Sequence, residues 1–240
     1  MPDALLALEA VNTHIGQYHI LQGVSFSVPQ NSLTMLLGRN GAGKTTCLRT
    51  IMGLWRASAG SVKFGEKEIT RTPTPDLARL GIAYVPENMG IFAGLTVREN
   101  MLLAARGGAL DDKRLEWIFG LFPAMKKFWG SLAGNLSGGQ KQMLAISRAI
   151  AEPRRLLLVD EPTKGLAPAI IAAMIEAFRE VKRDATLVVV EQNFHFARTL
   201  GDAVAVMDSG RIVHTGTMSA LAADEAMQQR LLGLSLDAHQ

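Results

Sequence analysis

Apolar residues recur along this chain in two rhythms: short continuous runs, and longer stretches where they return every three or four positions. Residues 4–11 and 20–28 read as two short strands rich in Leu and Val, and 32–37 as an apolar strand feeding a glycine-rich loop. Residues 44–52 then read as a helix, and 81–85 as a buried strand closed by Pro86. From about 88 to 150 the pattern turns helical, with 96–106, 111–122 and 139–151 as the predicted helices. Alternation then resumes: strand 156–160, helix 169–183, strand 186–190, helix 194–200, strand 203–207. Asp208-Ser209-Gly210, ahead of 211–215, is a hairpin signal. Strands alternating with helices predict an α/β fold with a mostly parallel sheet. No repeat or linker interrupts the chain, so 1–240 is expected to be one domain, with 88–150 as a helical subdomain inserted in its core.

Composition narrows the function without naming it. Hydrophobic residues make up 48% and charged residues 20% of the 240, as in ordinary globular chains. The net charge, 25 − 22 = +3, gives no argument for a nucleic-acid partner and is compatible with an anionic membrane face. The one cysteine, Cys47, can form no internal disulfide, which fits a cytosolic setting. The N-terminus carries Asp3 and Glu9 without a basic start, so no secretory signal is expected. No apolar run approaches the roughly 18 residues of a membrane-spanning helix, so any membrane work is expected to pass through a partner.

The chemistry is concentrated in three runs. Residues 38–46 read Gly-Arg-Asn-Gly-Ala-Gly-Lys-Thr-Thr, with Gly38, Gly43, Lys44 and Thr45 at P-loop spacing between a strand and a helix. Gly38, Asn40, Gly41, Ala42, Gly43 and Thr46 would turn backbone N–H groups toward phosphates. Lys44 would reach the terminal phosphates, and Thr45 would offer its hydroxyl to Mg²⁺. The predicted ligands are therefore a nucleotide's phosphates and Mg²⁺. The second run, 156–162, is an apolar strand ending in two carboxylates. Side chains alternate along a strand, so Asp160 and Glu161 are expected to point apart: Asp160 to the Mg²⁺ shell, Glu161 to the attacking water.

The third run is Leu136-Ser137-Gly138-Gly139-Gln140, where a second helix opens on bare glycines. By itself it is an ordinary turn. Together with the P-loop it resembles the signature of ATP-binding-cassette (ABC) ATPases. Two phosphate-binding helix ends and one nucleotide site make sense if each chain of a head-to-tail pair lends Ser137–Gln140 to the other's ATP.

The resemblance extends over the whole chain. Gly81-Ile-Ala-Tyr-Val-Pro-Glu87, Leu95-Thr-Val-Arg-Glu-Asn100, Asp160-Glu-Pro-Thr-Lys-Gly-Leu-Ala-Pro168 and Val190-Glu-Gln-Asn193 are similar to the ATP-binding subunits of bacterial ABC importers, in the branched-chain amino-acid, amide and urea group. That resemblance implies a P-loop NTPase ABC ATPase core with an N-terminal antiparallel β part and an inserted α-helical subdomain. It implies two integral membrane permease subunits as partners, a second ABC ATPase subunit (a related chain or a second copy) and, indirectly, an extracytoplasmic solute-binding protein. The expected place is the cytoplasmic face of the inner membrane.

Several positions depart from the wider family's pattern. Glu87 stands where a glutamine is usual, between Mg²⁺ and the insertion, and is assigned a coupling role; a carboxylate can face a cation but cannot donate as an amide does. Gln192 aligns with the switch histidine and can hydrogen-bond a γ-phosphate oxygen without becoming charged. His195, three residues on, reads as a helix-surface histidine. Ala167 replaces an aspartate, and Ile15 or Tyr18 stands where an aromatic would stack on adenine.

Five of the fourteen aromatics (9 Phe, 2 Tyr, 3 Trp) fall within Trp117–Trp129. They read as the core of the helical insertion, and some of them as the wall of a groove for a membrane subunit's coupling helix; Lys126 and Lys127 read as a solvated face. Other readings are an ABC ATPase for urea, amides or export, a soluble non-transport ABC ATPase, and a nucleotide-binding regulator with little turnover. The solute never touches this subunit, so its residues do not name it.

Overall fold

A computed structural model describes residues 4–233; Asp3, used in the N-terminal reading, lies outside the described residues. Two long antiparallel strands open it, β1 (Ala4–Ile15) and β2 (Tyr18–Pro29). They run past the expected limits because the pair closes tightly at Gly16, whose φ of 58° suits glycine. There follow β3 (Leu33–Leu37), α1 (Lys44–Ile51), β4 (Ala57–Phe64), β5 (Lys67–Glu68), α2 (Thr74–Arg79) and β6 (Ile82–Val85). The helical stretch comprises α3 (Val97–Leu102), α4 (Asp112–Leu121), α5 (Pro123–Lys127) and α6 (Gly138–Ala149). Then come β7 (Leu156–Asp160), α7 (Pro168–Asp184), β8 (Thr186–Val190), α8 (Phe194–Leu200), β9 (Ala203–Asp208), β10 (Arg211–Thr217), α9 (Met218–Ala223) and α10 (Glu225–Leu232).

The strands form two sheets. One is antiparallel with order β2-β1-β4-β5; the other has order β10-β9-β3-β8-β7-β6, parallel except for β10. Strand periodicity divides the core between them. Leu33, Met35, Leu37, Leu157, Val159, Leu187 and Val189 face the layer that includes the helical insertion, α7 and α8. Leu36, Leu156, Leu158, Val188 and Val190 face α1 and the antiparallel sheet. Both faces of the parallel sheet are covered, which is why its strands are continuous apolar runs.

Local rules account for the differences from the predicted elements. The helix expected at 96–106 ends at Leu102. Thr96 and Glu99 start it with a reciprocal capping box, but Gly107 and Gly108 take φ of 81° and 75° beyond it. The helix expected at 111–122 stops at Leu121, and Pro123, suited to a first helical position, opens α5. Strand β4 was not anticipated because its first half, Ala57-Ser-Ala-Gly-Ser61, lacks apolar alternation. Neither β5, α2, α9 nor α10 was anticipated; each has eight residues or fewer. The 208–210 turn is as read, with Ser209 and Gly210 at φ 47° and 78° between β9 and β10.

The aromatic segment is core. Phe122 is wholly buried, while Trp117, Phe119, Phe128 and Trp129 pack partly buried against the same cluster. Phe119 meets Trp129 edge-on at 5.2 Å, and the Arg114 guanidinium lies 4.0 Å over Trp117. Trp117 also lines a cavity of about 410 Å³ with Asp111, Lys113 and Arg114, and a larger cleft lies elsewhere. A cleft of about 630 Å³ runs between the core (Arg49, Leu54, Tyr84) and the insertion (Ala104, Ala145, Arg148). Lys126 and Lys127 are exposed, and Lys126 pairs with Glu116 at 3.0 Å.

Candidate active site

All five residues of β3 are buried, with β9 on one side and β8 on the other, so the loop that follows leaves the middle of the parallel sheet. Gly38 packs so closely on β9 that an added Cβ would lie 2.1 Å from the Met207 carbonyl oxygen. Gly41 and Gly43 take φ of 80° and 106°, and Gly43 is the N-cap of α1. The first N–H groups of α1 thus face the loop, where an anion fits. Ala42 is buried, Asn40 exposed and Thr46 half-buried. Lys44 is buried, and its Nζ donates to the carbonyls of Gly38 (2.8 Å) and Arg39 (3.0 Å). Burial pushes its pKa down, against the pull of Glu161, Asp160, Glu191 and Glu87.

At the end of β7, Asp160 is fully buried. It accepts hydrogen bonds from the Thr45 hydroxyl (3.1 Å) and the Tyr84 phenol (3.2 Å). Burial raises its pKa, with those two bonds opposing, and the Tyr84 phenol is itself pushed up to about 12, chiefly by burial. A buried carboxylate with two hydroxyls and no cationic hydrogen-bond partner, beside a phosphate-sized cradle, fits Mg²⁺, which takes few protein oxygens and completes its shell with phosphate and water. Among the described residues no three or more His, Cys, Asp or Glu converge as a metal cage.

Glu161 points away from Asp160, but not by strand alternation. It lies just beyond β7 with φ 48°, and this left-handed backbone turns it aside. Its Oε1 accepts from Gln192 Nε2 at 2.7 Å, and its Oε2 lies 3.4 Å from Lys164 Nζ. The same Gln192 nitrogen reaches Asn40 Oδ1 at 2.6 Å. One amide therefore joins the loop after β3, the turn after β7 and the turn after β8.

The other predicted residues are more dispersed. Glu87 pairs with Lys164 at 2.6 Å and touches the cradle only through its field on Lys44 and Asp160. Ser137 and Gln140 form a capping box at the start of α6, occupying the N–H groups of Ser137 and Gln140. The N–H groups of Gly138 and Gly139 are left at the open first turn, fewer than the bare glycines suggested. Among the described residues no hydrogen bond joins Ser137–Gln140 to 38–46. Ala167 is the N-cap of α7 without a side-chain cap. His195 is exposed on α8. Ile15 is half-buried, and Tyr18 is 64% exposed at the hairpin.

Sequence reasoning passed over Glu191. It is 2% exposed and accepts four hydrogen bonds: from Thr163 N (3.0 Å) and Oγ1 (2.6 Å), Gln192 N (2.9 Å) and Asn193 N (3.0 Å). It fastens the turn bearing Glu161 to the turn bearing Gln192. Burial raises its pKa while these bonds oppose. The available signal was a carboxylate directly after the apolar run Leu187–Val190, as Asp160 follows Leu156–Val159.

Comparison with known proteins gives four likenesses. The family model described as ABC transporter matches residues 21–164. The chain is 38% identical over 235 residues to the high-affinity branched-chain amino acid transport ATP-binding protein BraG of Pseudomonas aeruginosa, covering 95% of this chain and 100% of that one. It is 33% identical over 234 residues to the probable branched-chain amino acid transport ATP-binding protein LivF of Archaeoglobus fulgidus, covering 96% and 99%. A solved ATP-binding subunit of an ABC transporter superposes with a TM-score of 0.81 at 28% identity, covering 97% of this chain and 96% of that one.

Proposed function

Because the chain belongs to the ABC transporter family, whose ATP-binding domains hydrolyse ATP, we propose that it is the ATPase of an importer for branched-chain amino acids or closely related small solutes. The observation that carries the chemistry is the convergence of Lys44, Asp160, Glu161 and Gln192 on one glycine-rich cradle. The solute class follows from the full-length likeness to BraG and LivF.

In this reading the loop N–H groups and Lys44 bind the ATP phosphates. Thr45 and Asp160 hold Mg²⁺, which when bound neutralises phosphate charge. Glu161 accepts a proton from the attacking water, and Gln192 fixes its carboxylate; the amide reaches a γ-phosphate oxygen only by exchanging its bond to Asn40 for one to the phosphate. Ser137 and Gly138 lie exposed at the start of α6, suited to a partner chain's nucleotide. A second ATPase subunit therefore completes each site. The 630 Å³ cleft, with the exposed Leu54 on its wall, suits an apolar segment of a permease subunit. No helix among the described residues is long and apolar enough to cross a membrane, which leaves translocation to such partners.

The test is uptake of radiolabelled leucine by cells deleted for this gene and re-supplied with wild type or Glu161→Gln. Uptake restored by wild type alone is the expected result. Undiminished leucine uptake in the deletion strain, with no second leucine importer present, overturns the solute assignment.

A further inference from the structure

Lys164 lies within the 160–168 run but has been given no role, and its ammonium touches two carboxylates from different parts of the fold. It lies 2.6 Å from Glu87 Oε1 and 3.4 Å from Glu161 Oε2. Glu87 follows β6, next to Pro86, Asn88, Met89 and Gly90, which line the cleft between the core and the helical insertion. Glu161 stands at the cradle with its side chain only 10% exposed.

An exposed ion pair contributes little to stability, and Lys164 is 60% exposed. The geometry matters more than the energy. Glu161 sits on a left-handed backbone turn, and its two oxygens have separate partners, one Gln192 and the other Lys164. A carboxylate gripped on one oxygen still swings about its last bond; gripped on both, it keeps one plane. Glu87 in turn keeps the long Lys164 side chain from turning into solvent. A glutamine at 87 would offer Lys164 an uncharged amide oxygen in place of a carboxylate, so the glutamate there and the lysine at 164 make sense as a pair.

We propose that Lys164 is a positioning residue for hydrolysis: it fixes the Glu161 carboxylate and ties it to Glu87 at the edge of the cleft. The inference rests on the reading of Glu161 as the base. Movement of the 86–90 loop is then felt at the reacting end of the site through one ionic link. This lysine transmits position without touching substrate.

The experiment compares purified wild type, Lys164→Ala, Lys164→Arg, Glu87→Gln and the Glu87→Gln/Lys164→Ala double variant, with Glu161→Gln as control. ATP turnover, thermal midpoint and amide hydrogen exchange of the 86–90 loop, read at 87–90 because Pro86 has no N–H, are measured without added nucleotide. Lys164→Ala is expected to lower kcat about tenfold, with KM for ATP within about twofold. Its midpoint should move by less than ~3 °C. Lys164→Arg should retain turnover, and the double variant should be no slower than Lys164→Ala, because Glu87 acts through the lysine. Exchange at 87–90 should quicken in both single-charge variants, Lys164→Ala and Glu87→Gln. Wild-type kcat in Lys164→Ala, or a double variant with multiplied losses, overturns the proposal while leaving the ATPase reading intact, provided Glu161→Gln is inactive. A wild type without turnover overturns the ATPase reading instead, and exchange at 87–90 still decides whether the link exists.

Discussion

Gln192 donates its side-chain amide to Glu161 across 2.7 Å, from a residue 31 positions later in the chain. The same nitrogen reaches Asn40, so removal of the amide releases the carboxylate and the P-loop together. Gln192→Ala is expected to lower turnover about tenfold with nucleotide affinity nearly unchanged, while Gln192→His alters turnover only modestly. Fluorescent-nucleotide binding beside steady-state turnover checks this; loss of binding in either variant would show that Gln192 is not the switch.

Glu161→Gln removes the proton acceptor but keeps an oxygen for Gln192. Turnover should fall by roughly 10²–10⁴-fold, about 3–5 kcal/mol of barrier, with ATP still bound. Single-turnover phosphate release is the measurement. A variant that turns over at the wild-type rate would remove Glu161 from the mechanism.

Glu191 gives a pH signature. Burial holds its folded pKa above the ordinary 4.5, so its contribution to stability is full below that value and is lost as pH rises through the folded pKa. Glu191→Gln has no such dependence, and its NH₂ group meets the same N–H donors that the O–H of a protonated Glu191 meets. The stability of wild type relative to Glu191→Gln should therefore fall as pH rises from about 4.5. Denaturant titrations at several pH values decide it, and a constant margin would contradict the buried-charge account.

Two glycines of the cradle share a positive φ, 147° at Gly38 and 80° at Gly41, and differ in the room a side chain would find. Gly38→Ala places a Cβ 2.1 Å from the Met207 carbonyl oxygen, whereas at Gly41 nothing lies within 4 Å and only the φ of 80° resists a side chain. The first should cost more than about 2 kcal/mol and the second about 1 kcal/mol. Thermal unfolding of both variants tests the order, and equal losses would mean the loop does not pack on β9 as described.

What could be read from residues alone followed how local the cause was. The P-loop, the Asp160–Glu161 pair and the strands of the parallel sheet announce themselves through spacing and unbroken apolar runs. Strand β4 does not, because Ala57–Ser61 is small and polar and is ordered only by pairing with β1. The direction of Glu161 was anticipated for a different reason, since a left-handed backbone and not strand alternation turns it. Contacts such as Glu191 with Thr163 and Lys164 with Glu87 join residues 28 and 77 positions apart, and no short window contains them. Of the aromatics of 117–129, Phe122 fills the insertion's core and the other four pack on it partly exposed, a division that spacing alone does not reveal.

The positive φ of Glu161 sets the enzyme's working part against its durability. A glutamate held at 48° is strained by ~1–3 kcal/mol, and glycine or asparagine would relax it. A laboratory selection for heat resistance alone should therefore drift toward Gly or Asn at 161 and return sturdier but idle proteins. Only pressure for turnover keeps a glutamate there.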